Sequence, residues 1–180
     1  NGVATTQIFQ LDKSFGADGM VVKNDIAKIT DLKGKTVAAS APGTAPYFTL
    51  AWMLKKNGMS TKDVKIVNLE PQAAANAMIA GNAGLDAALT YEPYLSAVRA
   101  KPEAGKIIAT TLDYPMIMDT FGCVPKFLAD NPKAAKAIAD SYFEAVEMIS
   151  KEPKRSFEIM GADVKQSGEA FEASQKYLRW

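Results

Sequence analysis

The 180 residues contain no histidine and one cysteine, Cys123. The commonest general base, the commonest metal ligand and any internal disulfide are therefore missing together, which weighs against hydrolytic chemistry and against a cysteine-rich metal site. The residues that remain suit the holding of a ligand. Gly43 and Thr44 stand in Ser40-Ala-Pro-Gly-Thr-Ala-Pro-Tyr47, between a short apolar run and a periodic one. A helix that starts at Thr44 or Ala45 leaves its first N–H groups without intrahelical partners. With the Thr44 hydroxyl and a glycine that admits close approach, these N–H groups form an anion cradle. A plain N-cap has the same signature. Tyr91-Glu-Pro-Tyr94 joins an aromatic face to a carboxylate at a proline-started helix, a combination suited to a small polar ligand with a cationic or apolar part. Glu92 in a first turn equally favours the helix dipole. Asp18, in Ser14-Phe-Gly-Ala-Asp-Gly19, either faces a ligand or closes that bend as an Asx turn.

Positioning these residues requires a scaffold of alternating elements, and the chain has the means. Apolar residues make up 48% of the sequence, enough for a real core in one domain or two small ones. Its 21 basic and 20 acidic side chains nearly cancel, so no global field draws it to nucleic acid or an anionic membrane. No run of about 18 apolar residues and no charged-then-apolar leader is present, so this stretch is expected neither to span a membrane nor to carry an export signal.

In order, Val3–Leu11 reads as a strand, the Ser14–Gly19 stretch as a bend and Met20–Lys23 as a second strand. Gly34 is expected at positive φ ahead of a strand at Val37. The helix after Thr44 carries Tyr47, Leu50, Ala51 and Leu54 on one stripe and stops at Gly58. Further strands are expected at Val64–Leu69, Leu85–Leu89 and Lys106–Ala109, separated by helices opening at Pro71 and Pro93. This alternation predicts a mainly parallel sheet, with Gly43-Thr44, Glu70-Pro71 and Tyr91-Glu92-Pro93 at the carboxyl ends of its strands, along one edge. Beyond Thr111 the pattern changes: residues to Val124 are extended and those after Pro125 helical. Asn131-Pro132 is expected to cap a long helix whose Ala135, Ile138, Ala139, Tyr142, Ala145, Val146 and Ile149 form an apolar stripe. Phe171, Tyr177, Leu178 and Trp180 keep the end apolar. The chain thus reads as part of a longer protein, in which the α/β lobe is joined by another lobe of which only part is present.

Together, Ser14-x-Gly-Ala-Asp-Gly19, Asp31-Leu-Lys-Gly-Lys-Thr-Val37, Gly43-Thr44, Asp63-Val-Lys-Ile-Val67, Ala80-Gly81, Asp86-Ala and Tyr91-Glu-Pro-Tyr94 occur in an order and spacing that resemble the extracytoplasmic solute-binding proteins of ABC importers for sulfonates, taurine, nitrate and thiamine-pyrimidine precursors. An Ala83-Gly84 insertion lengthens one turn. The resemblance implies an α/β, periplasmic-binding-protein-like type II fold of two lobes with mainly parallel sheets. On this reading residues 15–112 are a complete lobe two. Residues 1–14 and 113–180 supply crossover strands, running side by side near Leu11–Gly16 and Leu112–Thr120, and the helical part of a partial lobe one. The residues implied to touch ligand are Gly43, Thr44, Ala45, Tyr47, Tyr91, Glu92, Asp18 and Asp113. No catalytic residue, cofactor or metal is implied. The partners are a small anion or zwitterion and a membrane permease, without nucleic acid, and the location is the periplasm or, for a lipoprotein, the cell surface. The alternatives are binding or synthesis of a thiamine-pyrimidine precursor, and the effector-sensing domain of a transcription regulator. The first alternative as an enzyme depends on histidine and cysteine chemistry, and no DNA-binding segment supports the second.

Overall fold

The computed structural model describes residues 2–179, which leaves the expectation for Trp180 outside the described residues. The chain forms two compact units, Ser14–Ile117 and Asn1–Lys13 with Met118–Trp180.

The Ser14–Ile117 unit is a five-stranded sheet built from β2 (Asp18–Val22), β3 (Thr36–Ala39), β4 (Lys65–Asn68), β5 (Ala87–Tyr91) and β6 (Lys106–Thr110), in the order β4-β3-β5-β2-β6. Helices α1 (Ala45–Lys56), α2 (Pro71–Ile79) and α3 (Tyr94–Arg99) follow β3, β4 and β5. The sheet expected to be mainly parallel is mixed, with one strand running against the other four. β3 pairs in parallel with β4 and β5, but β2 pairs antiparallel with both β5 and β6. The reason lies in the connections. Each strand entered through an α-helical crossover keeps the direction of the one before it, as a βαβ unit requires. β2 reaches β3 through residues 23–35, which hold only a 3-10 turn at Ile29–Leu32, so β2 alone is reversed.

Strand periodicity then decides the core. Every residue of β2 is buried, and successive side chains point to opposite faces. Met20 and Val22 pack with Val37, Ala39, Leu50, Met53, Leu54 and Leu89, whereas Val21 packs with Ala38, Ala74, Ala75, Met78, Leu95 and Val98. One face of the sheet thus takes α1 and the other takes α2 and α3. Gly19 makes the second packing possible, because a Cβ there would lie 2.9 Å from Leu95 Cδ2. The stripe of α1 is offset from the expected one: Thr49, Leu50, Met53 and Leu54 are buried, while Tyr47 and Ala51 are only half-buried. β5 also lies two residues later than the expected Leu85–Leu89, which makes Tyr91 its last residue.

In the other unit, β1 (Thr6–Ser14), β7 (Met118–Cys123) and β8 (Leu178–Arg179) form a sheet in the order β7-β1-β8. β1 ends at Ser14 rather than Leu11 because its antiparallel ladder with β7 runs from Thr6↔Cys123 to Lys13↔Met118. Ser14 N–H then donates to Ile117 O at 3.1 Å, so the two passages of the chain between units lie side by side. Helices α4 (Pro125–Asp130), α5 (Ala134–Lys151), α6 (Pro153–Asp163) and α7 (Gly168–Gln175) precede β8, so the stretch after Pro125 is not wholly helical. Asn131 ends α4 instead of capping α5, whose N-cap is Lys133 without a side-chain bond. The apolar stripe of α5 has helical spacing but is not a closed core. Ile138, Tyr142, Val146 and Ile149 are half-buried, Ala145 is exposed, and no residue of the helix is fully buried. Phe9 stacks on Phe121 at 5.5 Å and meets Tyr142 at 5.2 Å, which fastens α5 to the β1–β7 ladder.

Candidate ligand-binding site

The sheet of the Ser14–Ile117 unit gathers the expected residues at one edge. β3, β4 and β5 are parallel neighbours, so the turn at Gly43-Thr44, Glu70 and Tyr91-Glu92 follow strand ends that lie together. The reversed β2 begins at this edge, with Asp18 opposite Tyr91 in the ladder. β6 ends there too, Thr110 facing Gly19, and Asp113 follows it. Open α/β sheets bind ligands at such an edge.

Local chemistry sorts the residues. Gly43 has φ +94°, and a Cβ built on it would meet nothing within 4 Å, so the turn needs glycine for its backbone while the space above it is open. Thr44 is the N-cap of α1: its hydroxyl donates to Ala41 O at 2.8 Å and accepts from Tyr47 N–H at 3.5 Å. That donor is therefore already engaged, and Pro46 has no N–H. The first-turn donor left to an anion is the amide of Ala45. Tyr47 lies half-buried on the same turn.

Tyr91 is 39% exposed, its ring 5.9 Å from that of Tyr94. Burial, then the phenol of Tyr94 and the carboxylates of Glu70 and Asp18, hold the Tyr91 phenol above its ordinary pKa. Tyr91, Glu70 and buried Asp18 thus form an acidic, aromatic corner. Glu92 does not join it. Its side chain is 4% exposed, Oε1 is ion-paired with Arg99, and Oε2 accepts from Ser96 N–H at 3.0 Å. Both Glu92 oxygens are thus bonded to groups of helix α3. Asp113 likewise caps the turn after β6, Oδ2 accepting from Thr110 N–H at 3.0 Å. The bend before β2 is closed by Ser14, whose Oγ accepts the Asp18 N–H at 3.2 Å.

The remaining motif aspartates belong to the opposite edge. Asp31 accepts from the Ala27 and Lys28 amides and Asp63 from Ser60. Asp86 accepts from Thr36 N–H at 2.9 Å and pairs with Lys23 at 3.4 Å. They hold loops and strand starts. Arg99 was not among the expected residues, although its spacing of two helical turns from Glu92 was a legible signal; the Ser14–Thr111 pairing crosses 97 positions and left none. Among the described residues no group of three or more His, Cys, Asp or Glu stands close enough to hold a metal, and no helix is long and apolar enough to cross a membrane.

A layered α/β unit with its polar residues at one sheet edge, joined by two strand passages to a second unit, is the fold of the periplasmic binding proteins. The alkanesulfonate-binding protein SsuA from Xanthomonas axonopodis pv. citri, bound to MOPS, is similar with a TM-score of 0.84 and 18% identity, over 99% of this chain and 61% of its own. The desulfurization enzyme DSZB has a TM-score of 0.68 at 14% identity, over 94% of this chain and 63% of its own. The Taurine-binding periplasmic protein of Escherichia coli (strain K12) is 30% identical over 152 residues, which make up 82% of this chain and 46% of that protein. Residues 2–160 match the NMT1-like family, and the chain belongs to that family. It spans about half the length of the curated relatives it matches.

Proposed function

We propose that this chain is the ligand-binding part of an importer's solute-binding protein, which captures a small sulfonate or aminosulfonate and delivers it to a membrane permease without transforming it. The observation that carries this reading is the meeting, at one sheet edge, of the open Gly43–Ala45 turn with the Tyr91, Asp18 and Glu70 corner. The backbone N–H groups of Gly43 and Ala45, at the start of α1, take the oxyanion, with Tyr47 beside them, while the Thr44 N–H stays on Ala41 O. Tyr91 and Asp18 take the other end, where a cationic group gains from both an aromatic face and a carboxylate. Asp113 and Glu92 act by holding the turns that border this edge. Ser14–Ile117 serves as lobe two, and the rest of the chain as crossover strands and part of lobe one. The taurine-binding relative supports the ligand class and a periplasmic location. Catalysis on the same fold is the weaker reading, because this edge bears neither histidine nor cysteine.

The test is calorimetry and thermal unfolding of the protein with taurine, ethanesulfonate, MOPS and nitrate. A bound solute at a hundred times its Kd raises stability by roughly 2.7 kcal/mol. Taurine and ethanesulfonate are expected to raise the Tm, and taurine alone to lose affinity in Asp18→Asn. No shift with any of the four solutes refutes the reading.

A further inference from the structure

Ser14, the first residue of the Ser14–Ile117 unit, and Thr111, just after β6, carry hydroxyls on residues that are almost wholly buried, at 2% and 1% exposure. Their oxygens are 2.7 Å apart, one hydroxyl donating to the other. Each also accepts a backbone N–H from the bend between them: Thr111 Oγ1 that of Gly16 at 2.9 Å, Ser14 Oγ that of Asp18 at 3.2 Å. Backbone bonds close the frame. Thr111 N–H donates to Asp18 O at 2.9 Å, Glu92 N–H to Ala17 O at 2.8 Å, and Ser14 N–H to Ile117 O at 3.1 Å. A sheet ladder needs no such hydroxyl pair, and a plain bend needs at most one.

We infer that Ser14 and Thr111 form a buried clasp whose role is to position Asp18 beside Tyr91 at the ligand edge, making them a positioning pair for solute recognition. This rests on the solute-binding reading above. The physical argument is one of freedom. Gly16, at φ +95°, bends the chain, and a glycine bend restrains its neighbours weakly. The clasp ties that bend to Thr111, just past β6, through side chains, and Asp18 is held on both sides: its N–H donates to Ser14 Oγ, and its carbonyl accepts the Thr111 backbone N–H. Both anchors are side chains or amides already satisfied within the protein, so the clasp does not compete with a ligand for hydrogen bonds. Removing one hydroxyl strands the buried amide that it served, which destabilises the bend's present form in favour of one that reaches water.

Thr111→Val keeps the branched shape and deletes the acceptor, Thr111→Ser restores it, and Ser14→Ala opens the clasp from the other side should the valine variant fold poorly. Ile29→Val, a buried change on the α1 face of the sheet, matches the stability loss without touching the edge. Two readouts follow: the titration of the Tyr91 phenol, and affinity for taurine and ethanesulfonate. Because the Asp18 carboxylate helps to raise the Tyr91 pKa, Thr111→Val and Ser14→Ala should lower that pKa to between the wild-type and Asp18→Asn values. They should also weaken taurine about ten-fold, as expected for one displaced polar contact, while Thr111→Ser and Ile29→Val stay near wild type in both. A lowered Tm with an unchanged Tyr91 titration overturns the inference, as does a moved titration with unchanged affinity. If the wild-type protein binds neither probe, the solute-binding reading fails instead, and the Tyr91 titration alone decides the clasp.

Discussion

At the scale of single residues, Glu92 illustrates how burial overrules composition. Beside two tyrosines it has the makings of a ligand contact, yet both its oxygens are engaged inside the protein, by Arg99 and by the Ser96 amide. A buried carboxylate needs such partners, since without them desolvation would neutralise it or expel it. Glu92→Gln should therefore act on folding: loss of a charged hydrogen-bond partner costs roughly 1.5–3 kcal/mol, visible as a lower denaturation midpoint, with taurine affinity near wild type. A large change in affinity at unchanged stability would return Glu92 to the ligand. Thr44 follows the same logic, because its hydroxyl already donates to Ala41 O, which leaves the backbone of the turn as the anion contact.

At the scale of elements, strand direction decides which residues meet. The helical crossovers place the ends of β3, β4 and β5 at one edge and their starts at the other. Asp86 works at the second edge, stapling the start of β3 to the turn before β5. Burial pushes its carboxyl up, but the Thr36 amide and the Lys23 ammonium outweigh burial and hold its pKa below the ordinary value. A depressed carboxylate pKa contributes stability that is complete above the unfolded value of about 3.9 and is lost as pH falls through the folded value. Asp86→Ala should cost about 1.5–3 kcal/mol at neutral pH, with the gap to wild type closing in acid. Chemical denaturation at pH 7 and below pH 3 checks the sign, and a gap that widens in acid would contradict it.

At the scale of the whole molecule, the two units differ in how much they bury. The Ser14–Ile117 unit holds the two hydrophobic clusters described above, whereas α5, the longest helix described, has no fully buried residue and leaves Phe143 56% exposed. Local stability follows buried apolar contact. Amides of α5 are therefore expected to exchange with solvent earlier, and to lose protection at lower denaturant, than those of β2 and β5. Exchange followed by mass spectrometry would reveal the order, and equal protection in both would mean that unit boundaries do not set the stability of this protein.

Much of this was legible beforehand where the controlling physics is local. Helix starts at Thr44 and Pro71, the positive φ of Gly34 and the alternation of strands and helices all depend on residues within a few positions of one another. The convergence of Gly43-Thr44, Glu70 and Tyr91 on one edge followed from that alternation alone, since a helical crossover forces parallel strands. Three features were decided only by the tertiary structure. β2 runs against its neighbours because its reversal depends on a connection without an α-helix, which periodicity does not weigh. The burial of Glu92 against Arg99 depends on how α3 packs. The Ser14–Thr111 clasp joins hydroxyls that only the folded sheet brings within 2.7 Å. Local propensity carries no information about partners at such separations, and burial, which makes those partners obligatory, exists only once the chain has folded.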